Sequence, residues 1–200
     1  MARVAQRLSA LDGGAHDAQA LGRKRESGAR HERACARWEA SVGIIDSTFI
    51  EAAYGGPGTA PSGYKRATGC SAHFLIDKNS NVLAMCVLPA NLQDAEGARI
   101  LVPAAKEHFP NLKLVLGDKA YRQKPLAAMG EELGVEINGD SPPLPKGTTF
   151  VPMPLRWRVE RFFSWLAKWR RVAKNWCYSL DGFLLDMKWA VFGLALTLRA

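Results

Sequence analysis

The stretch "SVGIIDSTFIEAA", residues 41–53, places an acidic residue, Asp46, inside a compact apolar run. Val42, Ile44, Ile45 and Phe49 give that run the composition of a buried β-strand. A carboxylate on such a strand is costly to bury without a partner. A strand-end turn or a helix cap would also explain one such residue, so Asp46 alone does not decide the function.

The segment after residues 41–53 predicts a loop and then a hairpin. Residues 54–69, "YGGPGTAPSGYKRATG", are dense in Gly and Pro and predict a loop. Residues 71–91 contain two apolar runs separated by "DKNSN", the pattern of two strands joined by a turn. Asp77 is expected to be a residue of that turn, and His73 a satisfied core or edge histidine.

A helix is predicted over residues 94–108, with Asn91 as its cap and Asp94, three residues later, as the reciprocal capping residue. Helix capping then accounts for Asp94. Residues 112–116 form another short apolar run, and Asp118 follows it after one glycine. Tyr121 is expected to pack rather than to stack on a base.

The remaining segments complete a mixed α/β pattern. They are a short helix ending at Gly134, a strand at "VEI", an irregular stretch over 138–154, a long helix over about 155–175 and a last helix over about 181–199. The order of elements predicts a mixed β-sheet flanked by helices, with a long C-terminal helical region. Carboxylates at or beside strand ends commonly converge at one edge of such a sheet, and Asp46 and Asp118 are so placed.

The chain has 200 residues and a net charge of +8, which favours a polyanionic partner. Residues 1–40 lack a hydrophobic period and predict a basic arm, disordered or weakly helical, before a domain at 41–200. No apolar run is long enough to span a bilayer, so we expect a cytoplasmic protein with no membrane partner. The cysteines form no CxxC pair and are interpreted as buried free thiols: Cys35, Cys70, Cys86 and Cys177.

One carboxylate stands among basic residues in "RWRVERFFSWLAKWRR", residues 156–171. Glu160 lies one helical turn after Arg156, so the simplest interpretation is an ion pair on a solvated face. The alternative is that Glu160 joins Asp46 and Asp118 as a third oxygen ligand for Mg²⁺ or Mn²⁺. Two such ions can activate an attacking oxygen and stabilise a leaving one in phosphodiester chemistry.

Four segments together resemble a known family. They are "IIDSTFIEA", "HFLIDKNSNVLAMCVLPANLQDAEGARIL", "LVLGDKAY" and "RWRVERFFSWLAKWRR", in that order. The chain from about 44 to 199 resembles the DDE transposases of insertion sequences, of the IS-five branch. This resemblance implies a ribonuclease-H-like catalytic domain that binds two Mg²⁺ or Mn²⁺ ions, cuts at the ends of a DNA element and joins the freed 3′ hydroxyl to target DNA.

By the same resemblance, Asp46, Asp118 and Glu160 are the catalytic and metal-binding residues. The partners implied are double-stranded DNA, as element ends and target, and further copies of the chain, in a bacterial, nucleoid-associated setting. Helical spacing makes core packing the better expectation for most of the tryptophans, while Trp157 is the one expected to contact DNA. The residues expected to contact DNA are Lys65, Arg66, Arg156, Trp157, Arg158, Arg161, Lys168, Arg170 and Arg171.

The chain departs from the family at two places. Cys70, Ser71 and Ala72 stand where the family usually has basic residues, and residues 1–40 do not resemble the family's DNA-binding segment. Two explanations are open: a downstream reading frame whose partner is an upstream-frame DNA-binding segment, or an N-terminally truncated copy. The rival functions are an inactive transposase remnant that only binds DNA and a ribonuclease-H-like nuclease without strand transfer.

Overall fold

The structure is a computed structural model that describes residues 40–138 and 155–197. The predicted arm therefore lies outside the described residues, except for Ala40. The predicted irregular segment lies outside them from residue 139 to residue 154, and Cys35 does as well. None of the described helices is long and apolar enough to cross a membrane.

The described residues form one mixed sheet with helices packed on it. The strands are β1 (Val42–Glu51), β2 (Ala60–Pro61), β3 (Thr68–Asp77), β4 (Val82–Pro89), β5 (Leu114–Leu116) and β6 (Glu136–Asn138). The helices are α1 (Asp94–His108), α2 (Lys124–Leu133), α3 (Arg156–Leu166), α4 (Arg170–Ala173) and α5 (Leu180–Thr197), with a 3₁₀ turn at Lys119–Tyr121. The predicted mixed sheet flanked by helices is confirmed.

β1 is the central strand, and its two neighbours run in opposite directions. β3 pairs with it antiparallel along its length, with Asp46 opposite Phe74, and β4 pairs antiparallel with the outer side of β3. β5 pairs with β1 in parallel, but only along residues 42–44 of β1, and β6 continues in parallel beyond β5. The second half of β1 therefore extends beyond its parallel neighbour.

Side chains alternate across β1, so that its two faces contact different helices. Ile44 and Ile50 belong to the hydrophobic core formed with α3 and α5, which also contains Phe162 and Phe183. Asp46 shares the face of Ile44 and Ile50, because it stands two residues after the first. Ser47 points to the opposite face, toward α1.

The β3–β4 turn and the C-terminal end of α2 lie where the sequence predicts them. Both oxygens of the buried Asp77 accept hydrogen bonds within the β3–β4 turn: the backbone N–H groups of Asn79 and Asn81 and the Asn81 side chain lie 2.7, 2.8 and 2.8 Å away. This confirms Asp77 as a turn residue. Gly134 ends α2 with φ of 64°, a left-handed conformation that suits glycine.

The predicted continuous helix over 155–175 is wrong. It is divided into α3 and α4, because Trp169 takes an extended backbone conformation with φ −84° and ψ 102°. The Trp169 ring lies against Gly193 of α5, where a Cβ atom would collide with it. Packing against α5 thus turns the chain at a point that helical periodicity does not mark.

Two tryptophans depart from the expectation of core packing, since Trp169 and Trp176 are exposed, whereas Trp165 is partly buried against the core. Trp157, for which core packing was not expected, is exposed as well. The predicted free thiols are confirmed as buried for Cys70 and Cys86, while Cys177 is only partly buried. The short strand β2 lies inside the predicted loop, since Ala60 pairs with Gly69 of β3.

Candidate active site

Asp46 and Asp118 lie at the same edge of the sheet. The parallel pairing of β1 with β5 ends at Ile44 and Leu116, and each aspartate stands two residues beyond its strand's last pair. The Asp118 Oδ1 atom accepts a hydrogen bond from the Ala120 backbone N–H at 2.8 Å, which fixes the start of the 3₁₀ turn. The topology therefore brings these two predicted site residues to one edge.

Asp46 has an apolar environment on the α3 side of the sheet. Phe74 stands directly opposite it on β3, and the Phe74 ring packs edge to face on Phe162, with centroids 5.0 Å apart. This burial raises the pKa of Asp46 to about 6, from an ordinary value of 3.8. The Ser47 backbone N–H and Arg156 oppose the rise, while Asp118 and a further residue, Asp94, add to it.

Asp94 is not a helix cap, contrary to the sequence interpretation. The cap residue of α1 is Gln93, which makes no capping side-chain hydrogen bond. The Asp94 Oδ1 atom instead accepts a hydrogen bond from the Ser47 hydroxyl group at 2.6 Å. Sequence reasoning missed this residue because capping explained it locally, and the separation of 47 positions between the two partners hides the contact.

Two buried polar side chains adjoin the carboxylates. His73 is 0% exposed, and its Nδ1 atom lies 3.9 Å from the Asp94 Oδ1 atom. Burial lowers the pKa of His73, and Asp94 opposes that change. Neither ring nitrogen has a hydrogen-bond partner within residues 40–138 and 155–197, so the expectation of a satisfied histidine is wrong.

Tyr121 is 1% exposed, which confirms that it packs rather than stacks on a base. Its hydroxyl group has no hydrogen-bond partner in the described part of the chain. The pKa of Tyr121 is raised by burial first, and then by the charges of Asp94, Asp46 and Asp118. All three carboxylates therefore lie close enough to this phenol to act on it.

Glu160 lies apart from the aspartates, on the solvent side of α3. Its side chain is 65% exposed, and its Oε1 atom is 3.9 Å from the Arg156 Nε atom. Arg156 also lowers the pKa of Asp46, so its positive charge acts on both Asp46 and Glu160. The ion pair that a solvated helix face predicts is present, and the role of Glu160 as a third ligand stays a prediction.

The donor chemistry at this edge suits a hard cation. Asp46 and Asp118 offer carboxylate oxygens, which are the ligands that such cations prefer, and burial raises the pKa of Asp46. Across the described ranges, however, no three His, Cys, Asp or Glu side chains are grouped closely enough to hold a metal ion. Two aspartates would thus begin a Mg²⁺ or Mn²⁺ site, and Glu160 would have to exchange its contact with Arg156 to complete it.

Aromatic and basic side chains stack on one another along the exposed flank of α3. The Arg161 guanidinium lies 4.6 Å from the ring centroid of Trp157 and 4.8 Å from that of Trp165. The Arg158 guanidinium lies 4.8 Å from the Trp157 centroid and also donates a hydrogen bond to the Lys78 carbonyl in the hairpin turn. Stacking restricts the motion of both arginines, and Trp157 remains 50% exposed.

The other predicted DNA-contacting residues are spread over two surfaces. Lys168, Arg170 and Arg171 are exposed beyond the end of α3, and Arg171 pairs with Asp186 at 3.2 Å. Lys65 and Arg66 are exposed in the loop between β2 and β3, at the far end of β1 from Asp46. Only the first group continues the basic surface of α3 along the chain.

Comparison with known proteins identifies the family. The family profile described as "Transposase DDE domain" matches residues 37–139, which is half of the chain. The chain belongs to the DDE transposase domain family. The matched residues include Asp46, Asp94 and Asp118, and end before Glu160.

Solved structures similar to this DDE domain include the following two, and no curated protein matches it. A chain in the cryo-EM structure of the simian T-cell lymphotropic virus intasome in complex with PP2A regulatory subunit B56 gamma is 15% identical, with a TM-score of 0.49. That match covers 76% of this chain and 47% of the other, so this chain spans about half of its length. The catalytic core domain of BIV integrase is 12% identical, with a TM-score of 0.48, and the match covers 76% of this chain and 81% of that one.

The observed topology agrees with the expected ribonuclease-H-like class. A central strand, an antiparallel hairpin on one side, two parallel strands on the other and flanking helices are present in the described residues. The predicted fold class is confirmed. Membership of the IS-five branch stays a prediction.

Proposed function

We propose that the chain is the catalytic domain of a DNA transposase of the IS-five branch, which cuts at element ends and joins them to target DNA. The observation that carries the proposal is the edge of the sheet where Asp46 and Asp118 lie together, next to Arg156. Carboxylates beside a basic helix suit chemistry on a phosphodiester. The carboxylates would bind divalent cations that act on the phosphate, and the basic side chains would bind neighbouring phosphates.

Asp46, Asp118 and Glu160 would hold two Mg²⁺ or Mn²⁺ ions. When bound, these ions would activate the attacking oxygen and stabilise the leaving oxygen. The bound ions would neutralise the negative charge of Asp46 in place of Arg156. Arg156 would then separate from Glu160. The released guanidinium would then be available for a DNA phosphate.

The DNA backbone would lie along the exposed flank of α3. Trp157 and Trp165 hold the Arg161 guanidinium in place, so Arg161 loses little side-chain freedom on binding a phosphate. Lys168 and Arg170 would extend that contact past the end of α3. Trp157 would stack on an unpaired base near the cut.

Two displacements make up the reaction. In the first, a water oxygen attacks the phosphorus at the element's end, the bond from phosphorus to the 3′ oxygen breaks, and that oxygen leaves as a 3′ hydroxyl group. In the second, this 3′ oxygen loses its proton and attacks a phosphorus of the target DNA, displacing a target 3′ oxygen. Two ends must be held for a complete insertion, so further copies of the chain, and an upstream-frame DNA-binding segment, are proposed as partners on the nucleoid.

A joining assay tests the proposal. A labelled oligonucleotide carrying an element end is incubated with a supercoiled plasmid and Mg²⁺ or Mn²⁺, and the joined product is counted. The wild-type chain should join the two, and Asp46→Asn or Glu160→Gln should reduce joining by at least about 100-fold, since each removes a ligand charge. Glu132→Gln, an exposed substitution on α2, is the matched control and should join normally.

The same assay separates the rival functions. A nuclease without strand transfer would cut the oligonucleotide and give no joined product. Metal-dependent cutting or joining that survives unchanged in Glu160→Gln would contradict the proposed ligand set.

A DNA-binding remnant without catalysis is the second candidate, and the exposure of Glu160 favours it. In that case the Arg156–Glu160 ion pair is simply a surface pair, and the chain occupies element ends. Binding would persist in Glu160→Gln without metal and fall steeply with salt, because phosphate contacts dominate it. Joining by the wild type would rule it out.

A further inference from the structure

Asp94 connects α1 to the strand that carries Asp46. It is the first residue of α1, yet its carboxylate reaches across to β1 and accepts the Ser47 hydroxyl hydrogen bond at 2.6 Å. Ser47 is the neighbour of Asp46 and projects from the other face of the strand. The contact therefore ties down the backbone immediately after Asp46.

Ser47 makes a second hydrogen bond, to Asp46 itself. The Ser47 backbone N–H donates to the Asp46 Oδ1 atom at 2.8 Å. This amide lies beyond the residues of β1 that pair with β5, in the middle of the strand, where Ser47 stands opposite His73 of β3. The two bonds form a chain from the Asp94 carboxylate through Ser47 to the Asp46 carboxylate.

The surroundings keep the Asp94 end of this chain in place. His73 stands opposite Ser47 on β3, and its Nδ1 atom is 3.9 Å from the Asp94 Oδ1 atom. Its ring lies against α1 at Gly97, where a Cβ atom would collide with it. The first turn of α1 is thus seated on β1 and β3 at the position of the Ser47 bond.

We propose that Asp94 is a positioning residue that acts through Ser47 to hold the Asp46 carboxylate in the orientation needed to ligate a divalent ion. The inference rests on the proposed function, because it assumes that Asp46 is a metal ligand. Groups behind a first ligand typically alter metal affinity by about 10- to 100-fold when removed. Asp94 acts by its hydrogen bond in this scheme, and its charge is secondary.

Mn²⁺ binding to the full chain without DNA tests the inference by isothermal titration calorimetry. Ser47→Ala and Asp94→Ala should each weaken Mn²⁺ binding about 10-fold. Ser47→Thr keeps the hydroxyl group and Asp94→Asn keeps an acceptor oxygen, so both should stay within about 3-fold of the wild type. The double variant Ser47→Ala with Asp94→Ala should bind no more weakly than either single variant, because both break one chain.

Three results would overturn the inference. Ser47→Ala could bind Mn²⁺ like the wild type, Asp94→Asn could be as weak as Asp94→Ala, or the two alanine substitutions could add. The second result would assign the effect to charge instead of the hydrogen bond. Urea unfolding of each variant separates weaker binding from loss of fold, since Ser47→Thr and Ser47→Ala should unfold at similar urea concentrations.

Asp46→Asn distinguishes this inference from the proposed function. It should abolish Mn²⁺ binding if Asp46 is a ligand. If Asp46→Asn binds normally, the proposed metal site is wrong and the inference falls with it. If binding is lost in Asp46→Asn but unchanged in Ser47→Ala, only the role of Asp94 and Ser47 is refuted.

Discussion

Asp46 should destabilise the metal-free fold at neutral pH. Its pKa of about 6 in the folded chain lies above its ordinary value of 3.8, chiefly because the residue is partly buried beside Phe74. A difference of this size corresponds to about 3 kcal/mol between the protonated and ionised forms. We therefore expect Asp46→Asn, which keeps the shape and removes the charge, to raise the free energy of unfolding at pH 7.5 by up to about 3 kcal/mol.

The sign of the pH dependence follows from proton binding. Between about pH 4 and pH 6 the folded chain holds a proton on Asp46 that the unfolded chain has released, so this residue's contribution to stability falls as the pH rises. Above pH 6 both states are ionised, and the contribution is constant. The difference between wild type and Asp46→Asn should thus grow from pH 4 to pH 6 and then level off.

Urea unfolding in the presence of a chelator, at several pH values, measures this difference. Glu160→Gln is the matched control, because its carboxylate is 65% exposed and should change stability by less than about 0.5 kcal/mol. An Asp46→Asn chain that is no more stable than the wild type at pH 7.5 would refute the reasoning. A difference that does not change between pH 4 and pH 7 would refute it as well.

Three further substitutions and one addition test other parts of the structure. Asp77→Ala should lower the free energy of unfolding by about 3 kcal/mol, because three hydrogen bonds in the β3–β4 turn are lost; urea unfolding checks this. Gly97→Ala should destabilise the chain by about 2 kcal/mol through its collision with His73, whereas Gly182→Ala, with ordinary contacts in α5, should stabilise it by about 0.5 to 1 kcal/mol. Millimolar Mg²⁺ should raise the melting temperature of the wild type and leave that of Asp46→Asn unchanged, as a differential thermal scan would show.

The sheet was predictable because its signals are local. The apolar run around Asp46, the turn residues after Asp77 and the glycine that ends α2 are local signals. β1, the hairpin, α1 and α2 are where the pattern predicts them. The edge shared by Asp46 and Asp118 follows as well, since both residues come just after strands that pair in parallel.

The departures come from contacts between distant residues. Trp169 leaves the helical conformation because its ring packs on Gly193, 24 residues later, which no period in the sequence reveals. Asp94 satisfies a capping pattern, and only its bond to Ser47 shows that it is used elsewhere.

The far end of β1 has a consequence for the C-terminal segment. The Glu51 carbonyl accepts a hydrogen bond from the Asn175 N–H at 2.9 Å, and the Asn175 carbonyl accepts one from the Ala53 N–H at 2.7 Å. The segment between α4 and α5 is therefore hydrogen-bonded to the end of the strand that carries Asp46. Since a paired strand resists bending, the position of the segment between α4 and α5 is coupled to that of β1, the strand on which Asp46 stands.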